Sequence, residues 1–288
     1  MNDKAQGDNM KPAFRNAAIV YCSPAESTRH VAEVIRNTLK ELDVQVEVLD
    51  MAKRGDSASV LSKIKAACED ICLFIGSPVY VNHALPRVTA FISELPESAR
   101  AKAVPFVTWG GACSGVALWE MGKMLLEKGY QVAGAAKVMA LHSMMWRFDK
   151  PIGEGRPNAE DDQMIRDMVT KVAKGEAKGI ALSDLAYQPE SAREEMEKSS
   201  LAMAKSHMPQ RTVNEERCTQ CNICADVCPV EAVAFSPYPE FGDHCISCFN
   251  CVRECPEDAI EADFSPLDAR IRAKAKQFDE QPLSQIFL

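Results

Sequence analysis

The residues best placed to do chemistry are eight cysteines. Cys218, Cys221, Cys224 and Cys228 follow the spacing C-x2-C-x2-C-x3-C and lead into Pro229. Cys245, Cys248, Cys251 and Cys255 repeat it 27 residues later and lead into Pro256. Three thiolates at this spacing can wrap one corner of an iron–sulfur cubane, and the Cys-Pro step turns the chain towards a second site. In such runs the fourth cysteine ligates the other cluster. The spacing therefore predicts two 4Fe–4S clusters, one on Cys218, Cys221, Cys224 and Cys255, the other on Cys245, Cys248, Cys251 and Cys228. Similarity extends past the ligands, CPVEAV matching CPEDAI. Zinc would usually use two C-x2-C pairs separated by a longer loop. So short a segment has little core of its own, and bound metal would supply much of its folding energy.

The remaining cysteines, Cys22, Cys68, Cys72 and Cys113, are scattered. Cys22 and Cys72 fall in apolar runs and are expected in the core; Cys113 is expected to be a small buried hydrophobe. The chain has 288 residues and a net charge of −8. Residues 211–262 hold 3 basic and 10 acidic side chains, a net of −7, so nearly all the charge lies in the cysteine-rich segment. A partner docking there should present a basic face. No basic stripe suggests nucleic acid, and no apolar run approaches the ~20 residues of a membrane helix. The polar N-terminus lacks a signal-peptide core, which with the many unpaired thiols points to a cytoplasmic protein.

The elements that must position this chemistry are legible from periodicity. Five apolar runs, at 16–22, 44–49, 71–76, 104–108 and 132–141, read as strands, and 71–76 (ICLFIG) has the all-apolar character of a central parallel strand. Between and after them, helices are expected at 28–42, 60–68, 86–95, 116–128 and 159–174, the last capped by Asn158. Alternating strands and helices define an α/β, doubly wound, five-stranded parallel sheet. A connecting helix is expected at 191–208, opened by a Ser191–Glu194 capping box. Residues 269–278 suggest a helix in a tail whose role is not readable. The organisation read is an extension (1–15), an α/β domain (16–180), a linker (181–210), a small α+β two-cluster domain (211–264) and a tail (265–288).

Ligands of such sheets sit beyond the carboxyl ends of the strands. There the first loop reads Ser23-Pro24-Ala25-Glu26-Ser27-Thr28, a hydroxyl-rich turn at a helix N-terminus able to take a phosphate or simply to cap the helix. The later loops carry Ser77-Pro78-Val79-Tyr80, Thr108-Trp109-Gly110-Gly111 and His142 to Trp146. Tyr80, Trp109 and Trp146 thus converge and suggest a planar ligand, with Gly110 and Gly111 allowing close backbone approach. His142 is expected to be an ordinary loop histidine. Met139, Met144 and Met145 are either a soft pocket wall or core. The glycine spacing matches no dinucleotide fingerprint, and no Ser-His-Asp order or acidic cluster suggests a hydrolase or a phospho-receiver.

With these residues in view, the loops resemble those of the flavodoxin-like fold, and residues 211–262 resemble the dicluster 4Fe–4S ferredoxins. The order resembles the flavodoxin–ferredoxin fusion proteins. The resemblance implies FMN, with Ser23, Ala25, Glu26, Ser27 and Thr28 at its phosphate, and Ser77 to Tyr80 and Thr108 to Gly111 flanking its ring. Ala25 lacks the expected hydroxyl, and Glu26 replaces the expected glycine. A carboxylate ~4 Å from a phosphate would cost on the order of 1–4 kcal/mol, unless it turns to solvent or Arg29 offsets it. The implied function is electron transfer between the clusters, FMN and a redox partner. Two alternatives stand beside it: an FMN-dependent reductase fed by the clusters, and a redox-sensing or assembly module with a dead flavin site.

Overall fold

The computed structural model describes residues 11–53, 57–67 and 70–288. Most of the expected N-terminal extension, and Cys68, lie outside these residues. The α/β part runs β1 (Asn16–Tyr21), α1 (Ser27–Glu41), β2 (Gln45–Asp50), α2 (Ser57–Ala66), β3 (Ile71–Tyr80), β4 (His83–Ala84), α3 (Pro86–Glu94), β5 (Lys102–Trp109), α4 (Ala117–Glu127), β6 (Gln131–Val132), β7 (Ala135–Met139) and α5 (Ala159–Ala173). The main strands pair in parallel in the order β2-β1-β3-β5-β7. Leaving out the two-residue strands, this is the doubly wound order 2-1-3-4-5, that of flavodoxin.

The apolar runs of β1 and β3 follow from their double burial. Ala18 and Val20 face one core with Leu73 and Ile75, while Ala17 and Ile19 face the other with Cys72 and Phe74. Period-two alternation feeds both cores, so neither face tolerates polar residues. Cys22 and Cys72 are buried there, and burial raises the thiol of Cys22 to about 12. Asn158 caps α5, accepting from the amides of Glu160 and Asp161 while Asp161 returns a bond to its amide.

Three expectations need correction. The run at 132–141 is interrupted, with β6 and β7 separated by Ala133 and Gly134. The sheet also gains an antiparallel strand, β12 (Gln285–Phe287), on β7. The connecting helix is not continuous: α6 (Glu190–Lys198) stops at Ser199, and α7 (Leu201–Ala204) restarts after Ser200. Ser199 Oγ donates to Val81 O (3.1 Å), and Ser200 Oγ accepts from the Met203 amide (3.2 Å). Serine hydroxyls compete here with the helical backbone. The expected Ser191 box is absent, because α6 begins one residue earlier, after Pro189, with no side-chain cap.

The cysteine-rich segment folds as two antiparallel pairs with two short helices. β8 (Arg211–Val213) pairs with β11 (Ile260–Ala262), and β9 (Val233–Phe235) with β10 (Pro239–Phe241). The helices α8 (Ile223–Asp226) and α9 (Asn250–Arg253) carry the third cysteine of each run, Cys224 and Cys251. The tail is α10 (Ser265–Phe278) and then β12. Among the described residues no helix is long and apolar enough to cross a membrane.

Candidate functional site

The 27-residue repeat is a repeat of backbone shape. Gln220 and Asn222 have φ of 56° and 65°, and their counterparts Ser247 and Phe249 have 54° and 57°. Glu231 and Asp258 repeat the feature at 55° and 47°. Left-handed non-glycine residues cost free energy and persist where surroundings over-determine them. Here they curl each Cys-x2-Cys-x2-Cys run around a hollow. The Ala232 amide donates to Cys228 Sγ (3.1 Å) and the Ala259 amide to Cys255 Sγ (3.3 Å), again one repeat apart.

One hollow is lined by Cys218, Cys221, Cys224 and Cys255 together, with Phe235 and Ile260 as apolar walls. Around the other, Cys248 and Cys251 interact electrostatically with Cys245 and Cys228. The chain thus brings each fourth cysteine to the opposite triad. Among the described residues no three His, Cys, Asp or Glu side chains close on a point sized for one metal ion. The fit to a cubane rests on the four-thiol hollow, the repeated curl and the amides aimed at sulfur.

The two hollows differ. In the first set Cys221 is exposed, Cys218 and Cys255 half-buried and Cys224 buried, whereas in the second Cys245, Cys248 and Cys251 are buried and Cys228 half-buried. Arg211 Nη1 donates to Cys245 Sγ (3.0 Å), and its guanidinium lies over Phe241 (4.4 Å) and Phe249 (5.5 Å). Burial pushes the thiols of Cys248 and Cys251 up, and the Arg211 charge opposes this at Cys251. Nothing in the cysteine pattern pointed to Arg211, seven residues before the first ligand.

The buried hollow faces the α/β domain. Ile246 and Cys248 join the core that holds Leu85 and Val88, and Arg253 Nη2 donates to Ser143 O (2.7 Å). Trp146 is part of this contact and not of a flavin wall. It packs edge-on against Phe264 (4.8 Å) under Arg253 (4.6 Å). Trp109 borders the narrow cavity at the strand ends, as expected, but most of its ring is held by protein. It is 2% exposed, its indole N–H donates to Leu283 O (2.8 Å), and Lys137 Nζ sits 5.3 Å from its ring. The tail covers it, which no local pattern could reveal. Of the three aromatics, Tyr80 alone borders both cavities at the strand ends.

The phosphate loop has the expected course with altered chemistry. Glu26 stands in the left-handed region (φ 66°), as a glycine would, and its carboxylate pairs with Arg29, away from the loop. Arg29 also reaches Asp50 (2.9 Å). Neither Ser27 nor Thr28 caps α1. Ser23 Oγ accepts from the Arg29 amide (2.9 Å), and Thr28 Oγ1 meets Thr108 Oγ1 (2.7 Å), so these hydroxyls are engaged internally. A narrow cavity runs beside Ala25, Ser27 and Thr28, past Pro78, Val79, Tyr80 and Thr108, to Gly110 and Ser143. Ser77 is buried beneath it, its hydroxyl accepting from the Leu85 amide (2.8 Å). Gly110 and Gly111 are explained by protein packing: a Cβ would lie 2.7 Å from His142 and 2.5 Å from Ile152.

Beyond Tyr80 and Gly110 the cavity opens into a chamber of about 890 Å³. Its walls are the strand-end loops, α6, α7, α10 and the cluster loop at Ile246 and Ser247. The Tyr80 hydroxyl is buried, approaches Ser143 and Cys248, and closes no hydrogen bond. His142 Nδ1 accepts from the Met144 amide (3.3 Å), leaving the proton on Nε2. Burial, helped by Lys274, holds that imidazole down at about 4, hence neutral. Cys113, buried against Val116 and Met196, also lines the chamber. Met144 lines the chamber, while Met145 is buried. The three loops, the narrow arm and the unsatisfied Tyr80 hydroxyl fit a flavin mononucleotide; the internally bonded Thr28 is the least accommodating member.

The family described as a 4Fe-4S binding domain matches residues 211–234. Subunit I of NADH-quinone oxidoreductase from Pelobacter propionicus is 32% identical over 90 residues, which cover 26% of this chain and 47% of that protein. The chain thus spans about half the length of that relative. Among solved structures, rubredoxin oxygen:oxidoreductase from Desulfovibrio gigas overlaps with a TM-score of 0.45 at 18% identity, over 62% of this chain and 38% of that one. Flavodoxin 1 from Bacillus cereus gives 0.43 at 19%, over 55% and 97%. An archaeal flavodoxin gives 0.42 at 21%, over 56% and 97%. Overlaps at this level are weak, and it is the strand order that assigns the fold. The protein joins a flavodoxin-like α/β domain to a 4Fe–4S ferredoxin-like segment.

Proposed function

We propose that this chain is an electron-transfer protein in which two 4Fe–4S clusters and an FMN exchange electrons and a redox partner with a basic face docks at the outer cluster. The observation that carries the reading is shared lining. Ser247, between Cys245 and Cys248, borders the same chamber as Val79, Tyr80 and Gly110. When bound, FMN would handle electrons in pairs while each cluster handles one. Ser27 and Thr28 would hold its phosphate, Val79, Tyr80 and Gly110 its ring, and His142 Nε2–H would offer a donor. Arg211 stabilises negative charge on the inner thiolates, favouring an electron there. The outer hollow, with Cys221 exposed, is the entry. All ten acidic residues of 211–262 are exposed, which suits a basic partner.

The test is rapid mixing of the cluster-loaded, FMN-loaded full chain with a basic low-potential donor protein. Reduction of the flavin should slow as salt rises, and should slow strongly in Cys221→Ala, whose iron content is measured on the same sample. Equal rates in the variant and the parent would remove the relay.

A second reading, a reductase acting on a small molecule at the flavin, is favoured by one observation. The chamber exceeds what contact with a protein donor requires. Glu26, the feature that favours a dead flavin site, turns onto Arg29 instead.

A further inference from the structure

We propose that the chamber at the strand ends binds a small organic anion with an apolar body, held by Lys274 together with Arg270 and Lys198. The proposal deepens the reductase reading and rests on it for the anion's place beside a flavin. Volume is the first argument. At about 890 Å³ the chamber is near the top of the roughly 300–1,000 Å³ range of small-molecule sites, before the narrow arm beside the phosphate loop is counted. A flavin ring entering past Tyr80 and Gly110 leaves room for a second molecule.

Charge is the second argument. The protein carries −8 overall, and α6 holds Glu190, Glu194, Glu195 and Glu197. Yet the chamber is lined by Lys198, Arg270 and Lys274, with Glu195 as its one carboxylate. Lys274 is the anchor. It is half-buried, and its Nζ donates to a neutral partner, Asn82 Oδ1 (3.1 Å). The other titratable groups it faces are the neutral His142 and the thiol of Cys113. Glu280, across from it, is committed to Lys137. An ammonium so placed favours an anion from solution. The same lining includes Val79, Met144, Met196 and Met208, which are apolar and, in the methionines, adaptable. A wholly polar ion would waste that surface, whereas a carboxylate on an apolar frame uses both the cations and the apolar lining.

The experiment uses the full chain, its clusters assembled without oxygen, with and without FMN. The probes are trans-cinnamate and its neutral analogue cinnamamide, followed by equilibrium dialysis; FMN retention is followed separately by fluorescence. Cinnamate should be held about tenfold more tightly than the amide, the scale of one charge-assisted hydrogen bond. Lys274→Met should erase most of that preference while leaving cinnamamide unchanged, and the exposed Arg270→Gln should reduce it. Equal retention of the two probes, or full preference in both variants, would overturn the proposal. Loss of FMN retention would count against the flavin reading alone, since dialysis without FMN still decides the anion site.

Discussion

Breaking the ion pair between Lys137 and Glu280 should cost more stability than any other single sheet-to-tail contact among the described residues. Lys137 lies in the centre of β7 and is 1% exposed, an extreme position for a lysine. Its Nζ meets Glu280 Oε1 at 2.7 Å and lies 4.7 Å from the Tyr187 ring and 5.3 Å from that of Trp109. Glu280 also accepts from the Ser114 amide (2.9 Å) and from Gln188 Nε2 (3.1 Å). Glu280→Ala strands the ammonium in the sheet and orphans the Ser114 amide, while Gln188 Nε2 keeps its bond to Ser114 Oγ (3.3 Å). Removing one partner of a buried pair costs ~3–5 kcal/mol. At roughly 2–4 °C per kcal/mol for a domain of this size, the melting midpoint should fall by on the order of 6–20 °C. Lys137→Met with Glu280→Met should recover most of this, since apolar replacement of a whole buried pair is often neutral. Chemical denaturation followed by far-UV circular dichroism reads the effect. Burial alone would raise the Glu280 carboxyl, but the bonds from Lys137 and Ser114 outweigh it and hold it below its ordinary value. Its stabilisation is therefore full above the unfolded carboxylate range and is lost as pH falls through the lower native value. The reasoning fails if Glu280→Ala costs under about 1 kcal/mol, or if the double variant is as damaged as the single one.

Other consequences concern the redox sites and their loops. Arg211→Leu should lower the reduction potential of the inner cluster and leave the outer one in place, which potentiometry followed by EPR resolves; coincident titrations in variant and parent would refute the assignment. Glu26→Gly should stabilise the α/β domain by roughly 1 kcal/mol through relief of its left-handed φ, and FMN affinity should stay constant because the carboxylate already faces Arg29; tighter FMN binding would mean that the carboxylate enters the loop. Trp109→Phe should lower thermal stability by about 0.5–1.5 kcal/mol through the lost bond to Leu283 without changing FMN binding, and a weakened flavin would restore Trp109 to the ring wall.

How much was legible depends on whether the information is local. The cysteine spacing announces iron–sulfur chemistry because thiolates two residues apart must share a centre within a single turn of chain. The double burial of ICLFIG and the alternation of strands with helices announce a doubly wound sheet, because periodicity records which faces are dry. Asn158 announces its helix start because a cap is made within three residues. What the chain could not announce was set by residues far apart. Trp109 and Gly110 border the strand-end cavity as read, but Leu283 takes the indole N–H and Ile152 fills the space beside Gly111. Trp146 belongs to the cluster segment because Phe264 and Arg253 dock on it. The tail, unreadable as sequence, proves to be part of the sheet, so a truncation at Gln210 would remove β12 and expose Lys137. The sequence by itself determined the iron–sulfur character of the cysteine-rich segment and the order of elements, since both are written in short-range spacing and period. Only tertiary structure decided which cysteines are buried, which aromatics border the strand-end cavities and what covers the last strand, since burial and charge pairing depend on contacts between segments tens to more than a hundred residues apart.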